Sequence, residues 1–177
     1  MLAKLHLNNC RISDSQMLGR PGFGFSHVIA AGLDAGRLNL AWGCTGLARA
    51  CLEKSILYAK NRSQFGQPIS EFQLIQQKIS RMITDQRAAS LMCLQASRLR
   101  GLREHSAIQE SAMAKYFSST MVNRVANDAL QIHGAHGVGK DYPIERYVRD
   151  ARIMEIIEGT TQILEVAISR YSLSMGI

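Results

Sequence analysis

The chain has 177 residues, of which 46% are hydrophobic, 20% are charged and three are proline. This length suits one domain with its own core and is short for a two-domain enzyme, and the composition excludes a disordered or fibrous protein. A formal charge of +7 favours an anionic partner such as a phosphate-bearing cofactor, a membrane surface or a nucleic acid, but the basic residues form no continuous block, which argues against a nucleic-acid-binding arm.

The first residues, Met1–Leu7, are interrupted by charge too early for a secretory signal, and no apolar run is long enough to cross a bilayer. We therefore expect a soluble, cytoplasmic chain without a membrane partner. Residues Lys4–Ile12 predict one short strand, because Leu5 and Leu7 alternate with polar residues. A single strand cannot satisfy its own backbone, so we interpret it as the remnant of a β-structure upstream. The connector that follows, Leu18–Gly24, is rich in turn-forming residues.

Apolar residues then recur every three or four positions in three long segments, which predicts helices over about residues 32–62, 70–100 and 105–134. A glycine-rich loop over residues 133–139 precedes a short helix that begins near Pro143 and a final helix from Thr161 to about Ser174. The predicted fold class is all-α. It is an antiparallel up-down four-helix bundle with a short extra helix and a short N-terminal strand.

Four cysteines occur along the chain: Cys10, Cys44, Cys51 and Cys93. They form no CxxC pair and no Cys/His cluster of zinc spacing, which predicts reduced, half-buried thiols. His133 and His136 are spaced like metal ligands but lack further donors nearby in the sequence. We therefore predict no metal site.

The segment Arg152–Glu165 is the strongest candidate for chemistry. Glu158 lies directly before Gly159, which can turn the backbone, and Thr160 or Thr161 can cap the helix that follows. The free N–H groups of that first helical turn face Glu158 or an anion nearby. A carboxylate at this junction can act as a base, although an acidic residue before a helix often only complements the helix dipole.

Four motifs together resemble the acyl-CoA dehydrogenase family: Tyr58–Gln73, Gln131–Gly137, Tyr142–Asp150 and Ile157–Thr160. The resemblance covers almost the whole chain and implies the C-terminal four-helix domain of a subunit whose preceding domain is a β domain. Residues 1–20 are then a remnant of that middle β domain with its connector, and residues 21–177 form the helical domain. Ala135 stands where the family usually has a second glycine, and Val138 stands where an aromatic residue is common.

The resemblance implies that Glu158 is the catalytic base, which takes the α-proton of an acyl thioester while the β-hydrogen leaves as a hydride to FAD. The backbone N–H of Glu158 is then one donor to the thioester carbonyl. Asp34, Arg37 and Gly159 are implied as substrate-binding residues, the first two near the phosphopantetheine arm. Alternatively, Asp34 and Arg37 pair with each other, since they are one helical turn apart.

FAD contacts are implied in three segments. Arg62 and Gln73 match flavin contacts, and the fixed fork of an arginine suits a pyrophosphate, although a surface ion pair is the simpler role. Thr160 and Gln162 match contacts to the FAD of the same subunit, with helix capping as the alternative. A loop that approaches the adenosine half of a flavin across a subunit interface is matched by five residues: Gln131, Ile132, His133, Gly134 and Ala135.

The leading hypothesis is thus an FAD-dependent acyl-CoA dehydrogenase of fatty acid metabolism, acting on a coenzyme A or acyl-carrier-protein thioester and assembling as a homodimer or homotetramer. One alternative is a non-catalytic module that completes an oligomer and a flavin site for another polypeptide. The other is a basic nucleic-acid-binding relative, against which the intact Glu158 argues. We expect the isolated chain to bind FAD weakly, because the upstream domains complete the flavin pocket.

Overall fold

The computed structural model describes residues 3–175. These residues divide into two compact units, one up to Gly32 and one from Leu33 onward. The first unit contains a 3₁₀ turn over Asp14–Gln16 and a π-helical segment over Gly24–Ile29, which leads directly into the first long helix.

The strand predicted at Lys4–Ile12 is wrong, because the described residues of this segment adopt no regular structure. Leu5 and Leu7 are 86% and 83% exposed, so the alternation of apolar residues buries nothing here. The two-stranded hairpin described below is the sheet found within residues 3–175, and this segment does not pair with it. A strand without a neighbouring strand leaves its backbone N–H and C=O groups without hydrogen-bond partners. The alternating apolar residues are therefore not enough to form a strand here.

The remaining elements follow in chain order: α1 (Ala30–Asn61), β1 (Ser63–Gln64), β2 (Gln67–Pro68), a 3₁₀ turn (Ile69–Glu71), α2 (Gln73–Gly101), α3 (Ala107–His133), α4 (Ala135–Val138), α5 (Ile144–Met154) and α6 (Thr161–Met175). The all-α prediction is confirmed, and the predicted helices agree with the observed ones to within a few residues at each end. None of the helices in the described range is both long and apolar enough to cross a membrane.

Two short elements lie where only loops were expected. Strands β1 and β2 pair antiparallel, with Ser63 opposite Pro68, around a turn in which Phe65 and Gly66 both have positive φ, 53° and 83°. Two left-handed residues in succession form the tight hairpin turn whose twist matches that of the strands. The expected loop over residues 133–139 instead contains the single turn of α4.

Helix α3 contributes more buried residues than any other element and packs against α2, α4, α5 and α6. Residues of α1 and α2 such as Ala48, Cys51 and Ala89 share one buried cluster with α3. Many of these core residues are small, and small side chains allow helix axes to approach closely. The bundle thereby brings residues of α1 and α3 next to the turn between α5 and α6.

Three of the four cysteines are completely buried, namely Cys44, Cys51 and Cys93, whereas Cys10 is exposed. All four are free thiols, as predicted, but none of these three is only half-buried. Burial raises the pKa of Cys44 and of Cys51 to about 12. These two thiols therefore stay protonated at neutral pH and act as small apolar core residues.

Candidate active site at the turn between α5 and α6

The turn between α5 and α6 presents Glu158 in an unusual backbone conformation. Glu158 has a φ of 58° and Gly159 a φ of 97°, so two successive residues are left-handed. The turn at Gly159 was expected from the sequence, whereas the left-handed Glu158 was not. A residue with a Cβ pays about 1–3 kcal/mol for such a conformation and keeps it only where its surroundings hold it.

Two cationic side chains hold this turn by its backbone. Nε of Arg37, on α1, donates to the carbonyl oxygen of Glu158 at 3.2 Å. Nζ of Lys115, on α3, donates to the carbonyl oxygen of Gly159 at 2.7 Å. Two neighbouring carbonyl groups of the turn are thus each bonded to a different helix of the bundle.

The carboxylate of Glu158 lies directly against Gly36 of α1. A Cβ atom at position 36 would be 2.3 Å from Oε2 and 2.9 Å from Oε1 of Glu158, closer than real Cβ contacts allow. The carboxylate therefore occupies the space that any larger residue would fill. This contact accounts for a glycine in the interior of a helix, where glycine costs about 1 kcal/mol relative to alanine.

Asp34 and Arg37 do not pair with each other, so the alternative that joined them is not realised. The carboxylate of Asp34 instead accepts a charge-assisted hydrogen bond from Arg100 of α2, and Arg100 also donates to the Asp34 carbonyl at 3.2 Å. The other carboxylate oxygen of Asp34 is buried and has no partner. Arg37 is left free to bond the turn at Glu158.

Lys115 is completely buried beside this turn. Burial lowers its pKa from the ordinary value, because desolvation disfavours the ammonium form. Charge on Cys44 would raise the pKa, the Arg37 guanidinium lowers it further, and the carboxylates of Glu155 and Glu158 raise it. Positive and negative groups are therefore concentrated around the base of the turn.

At the start of α6, Thr160 and Gln162 flank the buried Thr161. The backbone N–H of Thr161 donates to the carbonyl of Glu155 at 3.1 Å, which closes the turn. The hydroxyl of Thr161 is buried without a partner, so this side chain does not cap the helix as one alternative had it. Thr160 and Gln162 lie within a few residues of Glu158 in the chain.

A second group of candidate residues meets at a cleft of about 260 Å³ beside the β1–β2 hairpin. Arg62 lines this cleft together with residues from the end of α3 and the start of α4: Ile132, His133, Gly134 and Ala135. Two segments separated by about seventy residues in the sequence are thus brought together. The Arg62 side chain is exposed at this cleft.

The remaining two candidates lie in neighbouring clefts. Gln131 lines a cleft of mixed polarity with Gly134 and the ion-paired side chains of Lys78 and Asp128. Gln73 lines an open, largely apolar groove next to Phe65 and Phe72. The structure therefore brings most of the predicted cofactor residues to one end of the hairpin and α3, but not into a single pocket.

An aromatic cluster whose members Tyr58, His133 and His136 line this cleft was not foreseen from the sequence. The ring of Tyr58 stacks on His133 with 4.4 Å between centroids, and its hydroxyl shares a 2.8 Å hydrogen bond with Nδ1 of His136. Tyr142 packs edge-on against Tyr58 and His133. Tyr58 lies 75 residues before His133 in the chain, so no local pattern links it to the other members of the cluster.

His133 is held as a neutral side chain in this cluster. Its Nδ1 lies 2.8 Å from the carbonyl oxygen of Ala129, which can only accept, so Nδ1 carries the proton and Nε2 is bare. Burial lowers the pKa of His133, partly opposed by the Ala129 hydrogen bond, and His136 lowers it further. The two histidines thus contact Tyr58, and residues 3–175 contain no group of three side chains arranged to hold a metal ion.

Comparison with known proteins gives one consistent result. A family model described as the acyl-CoA dehydrogenase C-terminal domain matches residues 22–173. A probable acyl-CoA dehydrogenase of Bacillus subtilis is 42% identical over 170 residues, which cover 95% of this chain and 44% of the relative. A 3-(aryl)acrylate reductase of Clostridium sporogenes is 39% identical over 163 residues, covering 92% of this chain and 43% of the relative.

The solved structure of butyryl-CoA dehydrogenase from Megasphaera elsdenii superimposes with a TM-score of 0.87 at 33% identity, covering 92% of this chain and 42% of that one. The chain thus spans less than half the length of the relatives that it matches. The matched family model extends over nearly the whole helical region, and the fold agrees with that of a solved member. The chain therefore belongs to the acyl-CoA dehydrogenase family, in which it corresponds to the C-terminal helical domain.

Proposed function

We propose that this chain is the base-carrying part of a flavin-dependent acyl thioester dehydrogenase, with Glu158 as the group that removes the α-proton. The observation that carries the proposal is the position of the Glu158 carboxylate. It lies against Gly36 on a left-handed turn whose two carbonyl groups are bonded to Arg37 and Lys115. A side chain held in this way is presented in one orientation, as a general base must be.

The chemistry requires a carboxylate that is partly withdrawn from water. A proton next to a thioester carbonyl is weakly acidic, so the base must be held within reach of it, and Glu158 is half-buried at this turn. FAD, when bound, supplies the acceptor for the hydride that leaves the β-carbon. One relative is named as a reductase, and in that direction the same carboxylate would return the proton to the α-carbon.

The backbone of Glu158 supports a second role. Within residues 3–175 its N–H donates to no backbone carbonyl. A free N–H beside the base can donate to the thioester carbonyl oxygen and stabilise the charge that develops there. We propose Gly159 and Asp34 as further substrate contacts, together with Arg37 through the part of its guanidinium that does not bond the turn.

The cleft at Arg62 fits a phosphate-bearing cofactor such as FAD. Its guanidinium is exposed, and Gly134 has a φ of 56° with open space where a Cβ would stand. Arginine forks bind phosphate oxygens in pairs, and a glycine permits close approach of a ligand to the backbone. We therefore assign one end of the cofactor to this rim: Arg62, Gln73, Gln131, Ile132, His133, Gly134 and Ala135. We assign Thr160 and Gln162 to the part nearer the base.

We further propose that the chain assembles through its helices into a homodimer or homotetramer and acts on a coenzyme A or acyl-carrier-protein thioester. Large apolar side chains stay exposed on the surface of α2, including Ile83, Leu91 and Leu94. Exposed apolar residues of this kind are typical of surfaces that bind another chain. The family model begins at residue 22, which supports the boundary that we propose after residue 20.

A chimera tests the role of Glu158. The upstream domains of the Bacillus subtilis relative are joined to this chain, and bleaching of flavin absorbance by acyl-CoA is followed. We expect Glu158→Gln to slow bleaching by about 10²–10⁴-fold, the usual contribution of a general base. The control is Glu155→Gln, because Glu155 is a nearby carboxylate that pairs with Arg152 at 3.0 Å. A Glu158→Gln chimera that bleaches as fast as the parent would show that the base lies elsewhere.

The isolated chain provides a separate check. We expect it to bind FAD weakly and to turn over poorly, because the chain spans less than half of its relatives. Flavin fluorescence titration measures the binding. A yellow protein after purification whose colour is bleached by acyl-CoA would contradict this expectation.

A further inference from the structure

Lys115 lies on α3 and contacts the turn that carries Glu158. We propose that Lys115 is a positioning residue, whose ammonium group holds the carbonyl of Gly159 and thereby keeps the Glu158 carboxylate against Gly36. Its importance for catalysis rests on the proposed function of Glu158. Its effect on the turn does not.

The burial of Lys115 is the first observation. It is 0% exposed and is the largest of the completely buried side chains in the described chain. The buried positions around it on α3 are small: Ser111, Ala112, Ala114, Ser118 and Ser119. Lysine is almost never fully buried unless it has a partner, so the packing of this helix does not explain it.

The partner of Lys115 is a backbone group rather than a carboxylate. Within residues 3–175 its Nζ forms no ion pair, and its hydrogen bond is the 2.7 Å contact to the Gly159 carbonyl, 44 residues away in sequence. A bond to a carbonyl fixes the path of the backbone and does not depend on the side chain of the residue. The ammonium group therefore acts on the turn itself.

The bond from Lys115 holds the turn in a backbone conformation that is unfavourable for a residue with a Cβ. Glu158 has a Cβ and a φ of 58°, a conformation that such residues leave when nothing holds them. Arg37 fixes the carbonyl of Glu158 from α1, and Lys115 fixes that of Gly159 from α3. With one of the two bonds removed, we expect the turn to relax and the carboxylate to move away from Gly36.

The decisive experiment uses NMR on the isotope-labelled chain and the variant Lys115→Met, which keeps an unbranched side chain but removes the charge and the donor. A positive φ shortens the distance between the amide and α-protons of the same residue. The wild type should therefore show a strong intraresidue Overhauser effect at Glu158 and an effect between Glu158 and Gly36. In Lys115→Met both should be lost.

The matched control is Lys78→Met, because Lys78 is a partly buried, ion-paired lysine on α2 whose partner is Asp128. This variant should keep both effects at Glu158. A folded Lys115→Met chain that also keeps them would overturn the proposal, since the lysine would then be only a buried filler of the core.

If Lys115→Met does not fold, a pH titration of the wild type tests whether Lys115 holds the Gly159 carbonyl. As the pH rises, Lys115 loses its proton, and the ¹³C shift of the Gly159 carbonyl should change with the same midpoint as the Lys115 side-chain signals. The groups that face Lys115 are Cys44 and Arg37 from α1 and Glu155 and Glu158 from the turn. A Gly159 carbonyl shift that stays flat through that midpoint would overturn the proposal.

Both NMR measurements are made on the chain without flavin and without thioester. Failure of the base assignment to Glu158 in the chimera therefore leaves the positioning result intact, and failure of the positioning result leaves the base assignment to be decided by the chimera.

Discussion

The turn at Glu158 and the cleft at Arg62 are built in different ways. The first is held by contacts that join residues 44 and 121 positions apart, from two different helices of the bundle. The second is a rim of exposed residues around a hairpin and the end of α3, spread over neighbouring clefts. The comparison suggests that this domain alone fixes the proposed base, whereas its proposed cofactor contacts are open to completion by other parts of a larger assembly.

The first test of this difference disturbs the contact between Gly36 and the Glu158 carboxylate, where we expect the largest effect. In the chimera, Gly36→Ala places a methyl group 2.3 Å from the present position of Oε2, so the carboxylate must move. Misplacing a catalytic group by about 1 Å can lower the rate by about 10²-fold, and we expect a loss of this order in Gly36→Ala. Flavin bleaching by acyl-CoA measures the loss.

Gly43→Ala on the same helix is the control, because a Cβ there meets nothing within 4 Å. It should leave the bleaching rate unchanged and stabilise the isolated chain by up to about 1 kcal/mol, as alanine does in a helix interior. Equal bleaching rates in the Gly36→Ala and Gly43→Ala chimeras would mean that the carboxylate position against Gly36 is not the reactive one.

The ion pair between Asp34 and Arg100 gives the next largest effect, this time on stability. Arg100→Ala leaves a partly buried carboxylate without its donor, and we expect the free energy of unfolding to fall by about 1–3 kcal/mol. Urea denaturation followed by circular dichroism measures this. Arg49→Ala, which breaks an exposed pair with Glu53, should cost less than about 0.5 kcal/mol. Similar losses in both variants would show that Asp34 is well solvated without Arg100.

The difference between the two regions also explains what the sequence could predict. The helices follow from apolar periodicity, which is a local signal, and Glu158 with its glycine is a recognisable junction. Nothing local marks Gly36 or Lys115, because their partners lie far away in the chain. The strand expected at Lys4–Ile12 failed for the related reason that pairing depends on a partner outside the segment.

The hairpin was missed because its turn carries no common turn signal. Asn-Gly or Asp-Gly usually marks such a turn, and here Phe65 precedes Gly66. The aromatic cluster was missed because its residues come from α1, the end of α3 and the segment before α5. The sequence analysis considered the two histidines as metal ligands and His133 as a cofactor contact, whereas the structure shows His133 stacked on Tyr58 and His136 hydrogen-bonded to it.

His133 offers a pH-dependent test of the cofactor end. Its pKa is lowered by burial in the folded chain, so the unfolded chain binds a proton more readily. The stabilisation by His133 is therefore complete above its ordinary pKa of 6.5 and is lost as the pH falls from there through the lower value of the folded state. We expect the melting temperature to fall over this range, and to fall less in His133→Phe. A slope unchanged by the substitution would contradict the neutral, stacked assignment.

The smallest effect is expected at the hairpin turn. Phe65 is 93% exposed and has a φ of 53°, a conformation that asparagine adopts more readily than phenylalanine. Phe65→Asn should therefore raise the free energy of unfolding by a few tenths, at most about 1 kcal/mol, as measured by the urea midpoint. If the variant is instead less stable, the edge-on packing of Phe65 against Phe72, 6.3 Å between centroids, outweighs the backbone strain. In that case an aromatic contact within this domain stabilises the residues around Arg62, as internal contacts stabilise the turn at Glu158, even though Phe65 is exposed.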